Sequence, residues 1–147
     1  TLSIECKTVL ENLSVLDPAL KAGDFVPEDG VILPCTRYVL RPGDTVYDIL
    51  SRAVRYNKIQ MEYQGADKNS FSSVYIKGIN YLYEFSCGPL SGWMYTVNGI
   101  FPQYGCSKYE LSDGDRIEWV YTCDLGRDVG CIWMQNEQNA RQTEEQK

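Results

Sequence analysis

The sequence predicts an α+β fold, a small mixed sheet packed on one main helix with a shorter helix near the N-terminus. Three observations predict it. A single long stretch, residues 45–54, carries a clear helical period. A strand-like segment precedes it near the N-terminus, and nearly every apolar segment after Asn57 is short and bounded by turn residues. One amphipathic helix with strands on both sides of it in the chain packs as a helix against a sheet.

The elements follow in order. Leu2 to Cys6 alternates apolar and polar residues and reads as a short strand. Thr8 opens a short helix with Val9, Leu10, Leu13 and Leu16 on one face, and Asp17-Pro18 ends or bends it. Residues 21–30 hold Gly23, Pro27 and Glu28-Asp29-Gly30 and read as a loop. Val31 to Leu33 and Tyr38 to Leu40 are short extended segments. Arg41-Pro42-Gly43-Asp44 is a turn into the main helix. Thr45 with Asp48 three residues on resembles a capping box. Val46, Ile49, Leu50, Ala53 and Val54 then recur at i, i+3, i+4, i+7 and i+8, which gives one buried stripe.

Ile59 to Tyr63, Val74 to Lys77 and Tyr81 to Phe85 are predicted strands, separated by a polar loop from Gly65 to Ser73 and a break at Gly78-Ile79-Asn80. Trp93 to Val97 meets Asn98-Gly99, a pair that accepts the positive φ of a type I′ hairpin turn, with Ile100-Phe101 as the return strand. Tyr109 to Leu111 precedes a second turn at Ser112-Asp113-Gly114-Asp115. Arg116 to Thr122 is a strand with Ile117, Trp119 and Tyr121 on one face and Glu118 and Thr122 on the other. After Cys131 the chain turns to Gln, Glu, Asn, Arg and Lys. It divides into one domain, 1–131, and a polar tail, 132–147.

Composition narrows the function classes. A chain of 147 residues with 44% hydrophobic content suits one domain with a real core. The net charge of −6 repels phosphate backbones and anionic lipid, so nucleic acid and anionic membranes are poor partners. No apolar stretch approaches the ~20 residues that span a bilayer, so direct membrane insertion by this chain is not expected. No signal-peptide pattern stands before Thr1, and an export signal is expected to have been removed. The sequence has no histidine. That removes the usual Ser-His-Asp and Cys-His nucleophiles and the commonest metal ligand. Glu84, Asp115 and Glu118 are the acidic residues near the aromatic strands, and solvated faces explain them as well as a catalytic pair. Asp113 and Asp115 supply too few oxygens for calcium and read as a turn. Asn12-Leu13-Ser14 matches the glycosylation triplet but falls in the first predicted helix. The protein is read as a non-enzyme that needs no cofactor and has no metal site.

Cys6, Cys35, Cys87, Cys106, Cys123 and Cys131 make an even set, the pattern of disulfides in an oxidising compartment. Zinc or redox chemistry would want short C-x-x-C pairs, which are missing, and free buried thiols are the other alternative.

The run Ser91-Gly92-Trp93-Met94-Tyr95-Thr96-Val97-Asn98-Gly99 continues through Pro102, Tyr104-Gly105-Cys106 and Tyr109. It goes on to Leu111-Ser112-Asp113-Gly114-Asp115 and Ile117-Glu118-Trp119-Val120-Tyr121-Thr122. With Leu40-Arg41-Pro42-Gly43-Asp44-Thr45-Val46-Tyr47-Asp48-Ile49-Leu50 upstream, it resembles the bacterial transcobalamin-like C-terminal domain family. The resemblance covers residues 38–126 and reaches more weakly to Leu2-Ser3-Ile4-Glu5-Cys6. It implies a β-grasp-like fold and export in Gram-positive bacteria, often within a lipoprotein or longer surface protein. Vertebrate relatives, transcobalamin and intrinsic factor, hold cobalamin between such a domain and a separate helical barrel, for which this chain has no room. Cys35, Cys131 and the tail depart from the family pattern.

The resemblance makes Trp93 and Tyr95 candidate ligand residues, and Tyr104, in a loop between two turns, and Tyr83, on an alternating aromatic face, join them. A corrin ring is a disc with apolar faces and a rim of amides, and it suits aromatic side chains. The competing reading puts Trp93 and Tyr95 in the core. Tyr81, Tyr83 and Phe85 alternate on one strand face, where core packing competes with a ligand or partner patch. For the cysteines, a Cys87–Cys106 bridge would brace the aromatic hairpin, Cys6 and Cys123 would lie on neighbouring strands of a β-grasp sheet, and Cys35–Cys131 remains, although six cysteines allow 15 pairings.

Two functions follow as expectations. One is a secreted or cell-surface binding module for a corrinoid such as cobalamin, which wants an exposed concave aromatic surface near Trp93. The other is a structural or adhesive surface module that binds a protein, a second domain or a glycan, which wants Trp93 buried.

Overall fold

The structure, a computed structural model, describes residues 1–21, 25–66 and 73–131. The predicted tail at 132–147 and most of the predicted polar loop after Gly65 lie outside them. The fold is mixed α+β, with two sheets and few helices.

The main helix, α3 (Val46–Tyr56), forms where the sequence places it. Thr45 is its N-cap. The Thr45 Oγ1 accepts from the Asp48 N–H and the Asp48 carboxylate accepts from the Thr45 N–H, a complete capping box. Asp48 is shorter than the usual Glu, yet it closes the box at 2.9 Å. The Val46 and Tyr47 amides donate to the carbonyls of Tyr109 and Cys106, so the 106–109 loop satisfies two more of the donors a helix start leaves open. At the other end Lys58 takes φ +55°, and Ile59 N–H reaches back to the Val54 carbonyl at 2.8 Å. The whole predicted stripe is buried.

That stripe lies in the core with a four-stranded sheet, in the order β2 (Val31–Thr36), β1 (Leu2–Glu5), β7 (Ile117–Thr122), β6 (Gly92–Val97). The central β1–β7 pair is parallel and the outer pairs are antiparallel. Register aligns one face: Leu2 with Ile117, Ile4 with Trp119, Tyr95 with Trp119, Trp93 with Tyr121. All these side chains are buried. A three-stranded sheet, β3 (Met61–Gln64), β4 (Tyr75–Ile79) and β5 (Leu82–Tyr83), adds Ile76, Ile79 and Leu82 to the same core.

Several expectations change. The N-terminal helix is one turn, α1 (Lys7–Leu10), because the Asn12 side-chain amide caps the Thr8 carbonyl and a 3₁₀ turn follows. Leu13 consequently points outward, while Val9 and Leu16 stay buried. Pro18 starts a helical turn, α2 (Pro18–Lys21), where its missing N–H costs nothing and Asp17 accepts from the Ala19 N–H at 3.0 Å. Tyr38 to Leu40 is not a strand; β2 instead runs through Pro34 as an edge strand. The Asn98-Gly99 turn forms as expected, with φ +54° and +84°. Its return strand is only a single bridge from Val97 to Ile100, and the long partner of β6 is β7.

The cysteines form no disulfide here. Cys6, Cys87, Cys106 and Cys131 are buried and Cys35 is exposed. The strands ending near Cys6 and Cys123 are neighbours, as expected, yet the Cys123 sulfur lies on the Thr8 hydroxyl at 3.6 Å. Cys106 lies apart from Cys87, with its sulfur on the Val74 carbonyl at 3.4 Å.

Candidate functional site

Alternation along β6 decides where its aromatics point. Trp93, Tyr95 and Val97 share the inner face with Trp119 and Tyr121. The Trp93 indole meets the Tyr121 ring edge-on at 5.2 Å and donates its N–H to the Leu82 carbonyl at 2.8 Å. Tyr95 stacks at a tilt on Trp119, and its hydroxyl donates to the Tyr104 carbonyl at 2.5 Å. Burial pushes the Tyr95 and Tyr121 hydroxyl pKa values upward, so both remain neutral donors. Trp93 and Tyr95 are core residues, 8% and 9% exposed.

Tyr83 is half-buried on β5, its hydroxyl accepting from Gln60 Nε2 at 2.6 Å. Tyr104 is different, a residue 66% exposed in the loop after the hairpin. Hydrogen bonds from the Trp93, Tyr95 and Tyr121 side chains to the Leu82, Tyr104 and Tyr83 carbonyls bring the four predicted aromatics into one region, but their rings do not share a surface. Tyr81 and Phe85 are exposed as well, both at positive φ, so the predicted Tyr81-Tyr83-Phe85 strand face breaks at both ends.

The acidic candidates are each engaged locally. Glu84 accepts from the Tyr75 hydroxyl, Asp115 from Asn98 Nδ2 at 2.9 Å and the Ser112 N–H at 2.8 Å, and Glu118 pairs with Arg116 at 3.0 Å. The thiols of Cys6, Cys106 and Cys123 are pushed by burial up to about 12, which leaves them protonated at neutral pH and weak as nucleophiles.

The outer face of the same sheet holds a shallow concavity of about 410 Å³. Its floor is Thr96 on β6 and Glu118 and Val120 on β7. Glu5 and the α1 residues Lys7 and Thr8 form one wall, Gly99 and Phe101 of the hairpin another, and Asp128 and Val129 close an end. Carboxylates outnumber cations in this lining, Glu5, Glu11, Glu118 and Asp128 against Lys7. Asp128 is held by the Thr122 hydroxyl and the Cys123 N–H. The Thr96 residue is 6% exposed, and its Oγ1 has no hydrogen-bond partner among the described residues. A buried hydroxyl without a partner is uncommon in a folded protein.

The sequence reading placed Glu118 on the outward side of β7 but did not connect it to Thr96, Phe101 or Glu5. The signal was Val120, an apolar residue at an outward position of a strand that otherwise alternates cleanly.

The edge of β6 is a second feature. The Asn98 N–H donates to the Arg116 carbonyl, which makes Gly92, Met94 and Thr96 the residues hydrogen-bonded to β7. The main-chain groups of Trp93 and Tyr95 therefore face away from β7, along the edge where Ile100 and Tyr104 are exposed.

No curated protein matches the chain. The model of one family, described as a domain of unknown function (DUF4430), matches residues 43–123, from the turn before α3 to the end of β7. That match takes in α3, both strands that carry the concavity floor and more than half of the sequence, and the chain belongs to this family.

Proposed function

We propose that this domain is a non-catalytic recognition module of a secreted or cell-surface protein, and that it takes its ligand in the outer-face concavity. The observation that carries this reading is the lining of the concavity. The Thr96 hydroxyl lacks an intramolecular partner beside carboxylates and the apolar side chains of Val120 and Phe101. About 410 Å³ falls within the usual range of ligand pockets. Such a lining suits a ligand that brings hydrogen-bond donors, namely amide, hydroxyl or amine groups.

A corrinoid is the lead small molecule, because its rim carries amides and the sequence resembles the transcobalamin-like C-terminal family. The β-grasp-like reading is supported by the parallel β1–β7 centre with α3 across it. Stacking on Trp93 or Tyr95 is not part of this proposal, since both rings lie in the core. Docking of a protein segment or glycan is the second reading, favoured by the burial of Trp93, which that reading wants, and by exposed Tyr104 and Ile100 beside the outward main-chain groups of β6.

Calorimetric titration with cobalamin and cobinamide, with backbone NMR shifts, tests both. Saturable binding with shifts at Thr96, Glu118 and Val120 is expected. Shifts confined to Trp93, Ile100 and Tyr104 would move the site to the strand edge, and no heat or shift at high micromolar corrinoid would remove the corrinoid reading.

A further inference from the structure

The end of the β6–β7 ladder brings two cysteines together. Gly92 pairs with Thr122, and beyond that pair the Leu125 N–H donates to the Leu90 carbonyl at 2.9 Å. Cys123 is the first residue past the Gly92–Thr122 pair, as the chain leaves the ladder. The Ser91 Oγ accepts from the Cys87 N–H at 3.1 Å, which folds Cys87 back over the same place. Both sulfurs then converge on the end of α1. Cys123 Sγ lies 3.6 Å from Thr8 Oγ1, and Cys87 Sγ lies 3.5 Å from the Asn12 carbonyl oxygen. Thr8 and Asn12 are joined by the Asn12 amide bond to the Thr8 carbonyl at 2.8 Å. The two sulfurs therefore lie on one short segment, Thr8 to Asn12.

We infer that Cys87 and Cys123 are an oxidation site of this domain and form a disulfide in an oxidising compartment. The pairing differs from Cys87–Cys106 and Cys6–Cys123. Cys106 is held on Val74 near the start of α3, and the Cys6 N–H is tied to Gly30 on the β2 side. Both sulfurs face the same Thr8 to Asn12 segment, which brings the two residues within reach of each other across the end of the sheet.

The chemistry balances with a low-molecular-weight disulfide as oxidant. The Cys123 thiolate, on the less buried of the two residues, attacks one sulfur of the oxidant and releases one thiol. The Cys87 thiolate then attacks the mixed disulfide and releases the second thiol. Two protons and two electrons leave the pair, and the oxidant is reduced to two thiols. Burial pushes both thiol pKa values up, so exchange is fastest while the chain is folding and slow once both sulfurs are enclosed. The bond would tie the Phe85-bearing loop to the end of β7, next to Asp128 at the end of the outer-face concavity.

The full chain is refolded in glutathione with glutathione disulfide, free thiols are alkylated, and the unreduced protein is digested and mapped by mass spectrometry. Trypsin leaves Cys87 and Cys106 on one peptide, 78–108, so chymotrypsin is added to cut between them. The expected map contains a Cys87–Cys123 linked peptide, which persists in Cys6→Ser and Cys106→Ser and disappears in Cys123→Ser, where Cys87 becomes alkylated. A Cys87–Cys106 or Cys6–Cys123 link, or alkylation of both Cys87 and Cys123 in the oxidised folded protein, overturns the inference. The wild-type map decides even if a serine variant fails to fold.

Discussion

The Trp93 indole N–H donates to the Leu82 carbonyl, and this bond joins the edge strand of the large sheet to the last strand of the small one. It fixes Trp93 inward, against Tyr121, and makes the residue structural. Trp93→Ala is expected to cost about 3–5 kcal/mol, the usual range for an emptied aromatic core site. Trp93→Phe keeps most of the volume but strands the carbonyl, at about 1–3 kcal/mol. Urea unfolding with circular dichroism measures both, and a loss under about 1 kcal/mol for Trp93→Ala would mean the ring is not in the core.

Thr96 separates fold from function. Its Oγ1 makes no internal hydrogen bond, so Thr96→Val should leave the unfolding midpoint unchanged or raise it slightly. The same substitution should weaken any ligand seated in the concavity. Unchanged affinity with a titratable ligand would place that ligand elsewhere.

The Asp44–Arg52 pair predicts the acid limit of stability. Asp44 is nearly buried, accepts from the Arg41 N–H at 2.7 Å and from Arg52 Nη1 at 2.6 Å, and pairs with a second Arg52 nitrogen. The Arg52 hydrogen bond, opposed by burial, holds its carboxyl below the ordinary 3.8. A pKa depressed on folding contributes stability that is present above the unfolded value and lost as pH falls through the folded one. Stability should therefore be flat near neutrality from this group and fall below about pH 4. Asp44→Asn should remove about 2 kcal/mol at pH 7, a figure reduced because Arg52 is partly exposed, and it should flatten the acid slope. Denaturant melts between pH 3 and pH 7 read both effects.

Gly78 is needed for space. It pairs with Tyr83 across β4 and β5, and the Tyr83 ring lies over it, so an added Cβ would strike that ring. Gly78→Ala should destabilise by about 1–3 kcal/mol and break the Tyr83–Gln60 hydrogen bond. Gly114→Ala is a control for backbone strain alone, since φ is +86° there and nothing stands within 4 Å.

Much of the fold is legible in the residues themselves. The Thr45 and Asp48 capping box, the five-residue stripe of α3, the Asn98-Gly99 turn and the inner face of β7 are all local patterns, repeated or adjacent in sequence. Leu13 fits the helical period, so periodicity extends the short N-terminal helix past its actual end. Periodicity could not register the Asn12 side chain that ends the helix, nor the outward turn that follows.

The candidate site divides the same way. Sequence alone determined that no histidine chemistry operates here, that the chain is acidic, and that Trp93 and Tyr95 share one strand face. Only tertiary structure decided which face that is. A strand has two sides, and the choice between core and surface depends on what packs across it: here α3 and the small sheet cover the face that carries Trp93, which leaves Thr96, Glu118 and Val120 to form the floor on the other side. The approach of Cys87 and Cys123 to one segment, Thr8 to Asn12, is likewise tertiary, because spacing along the chain does not specify which strand ends become neighbours in space.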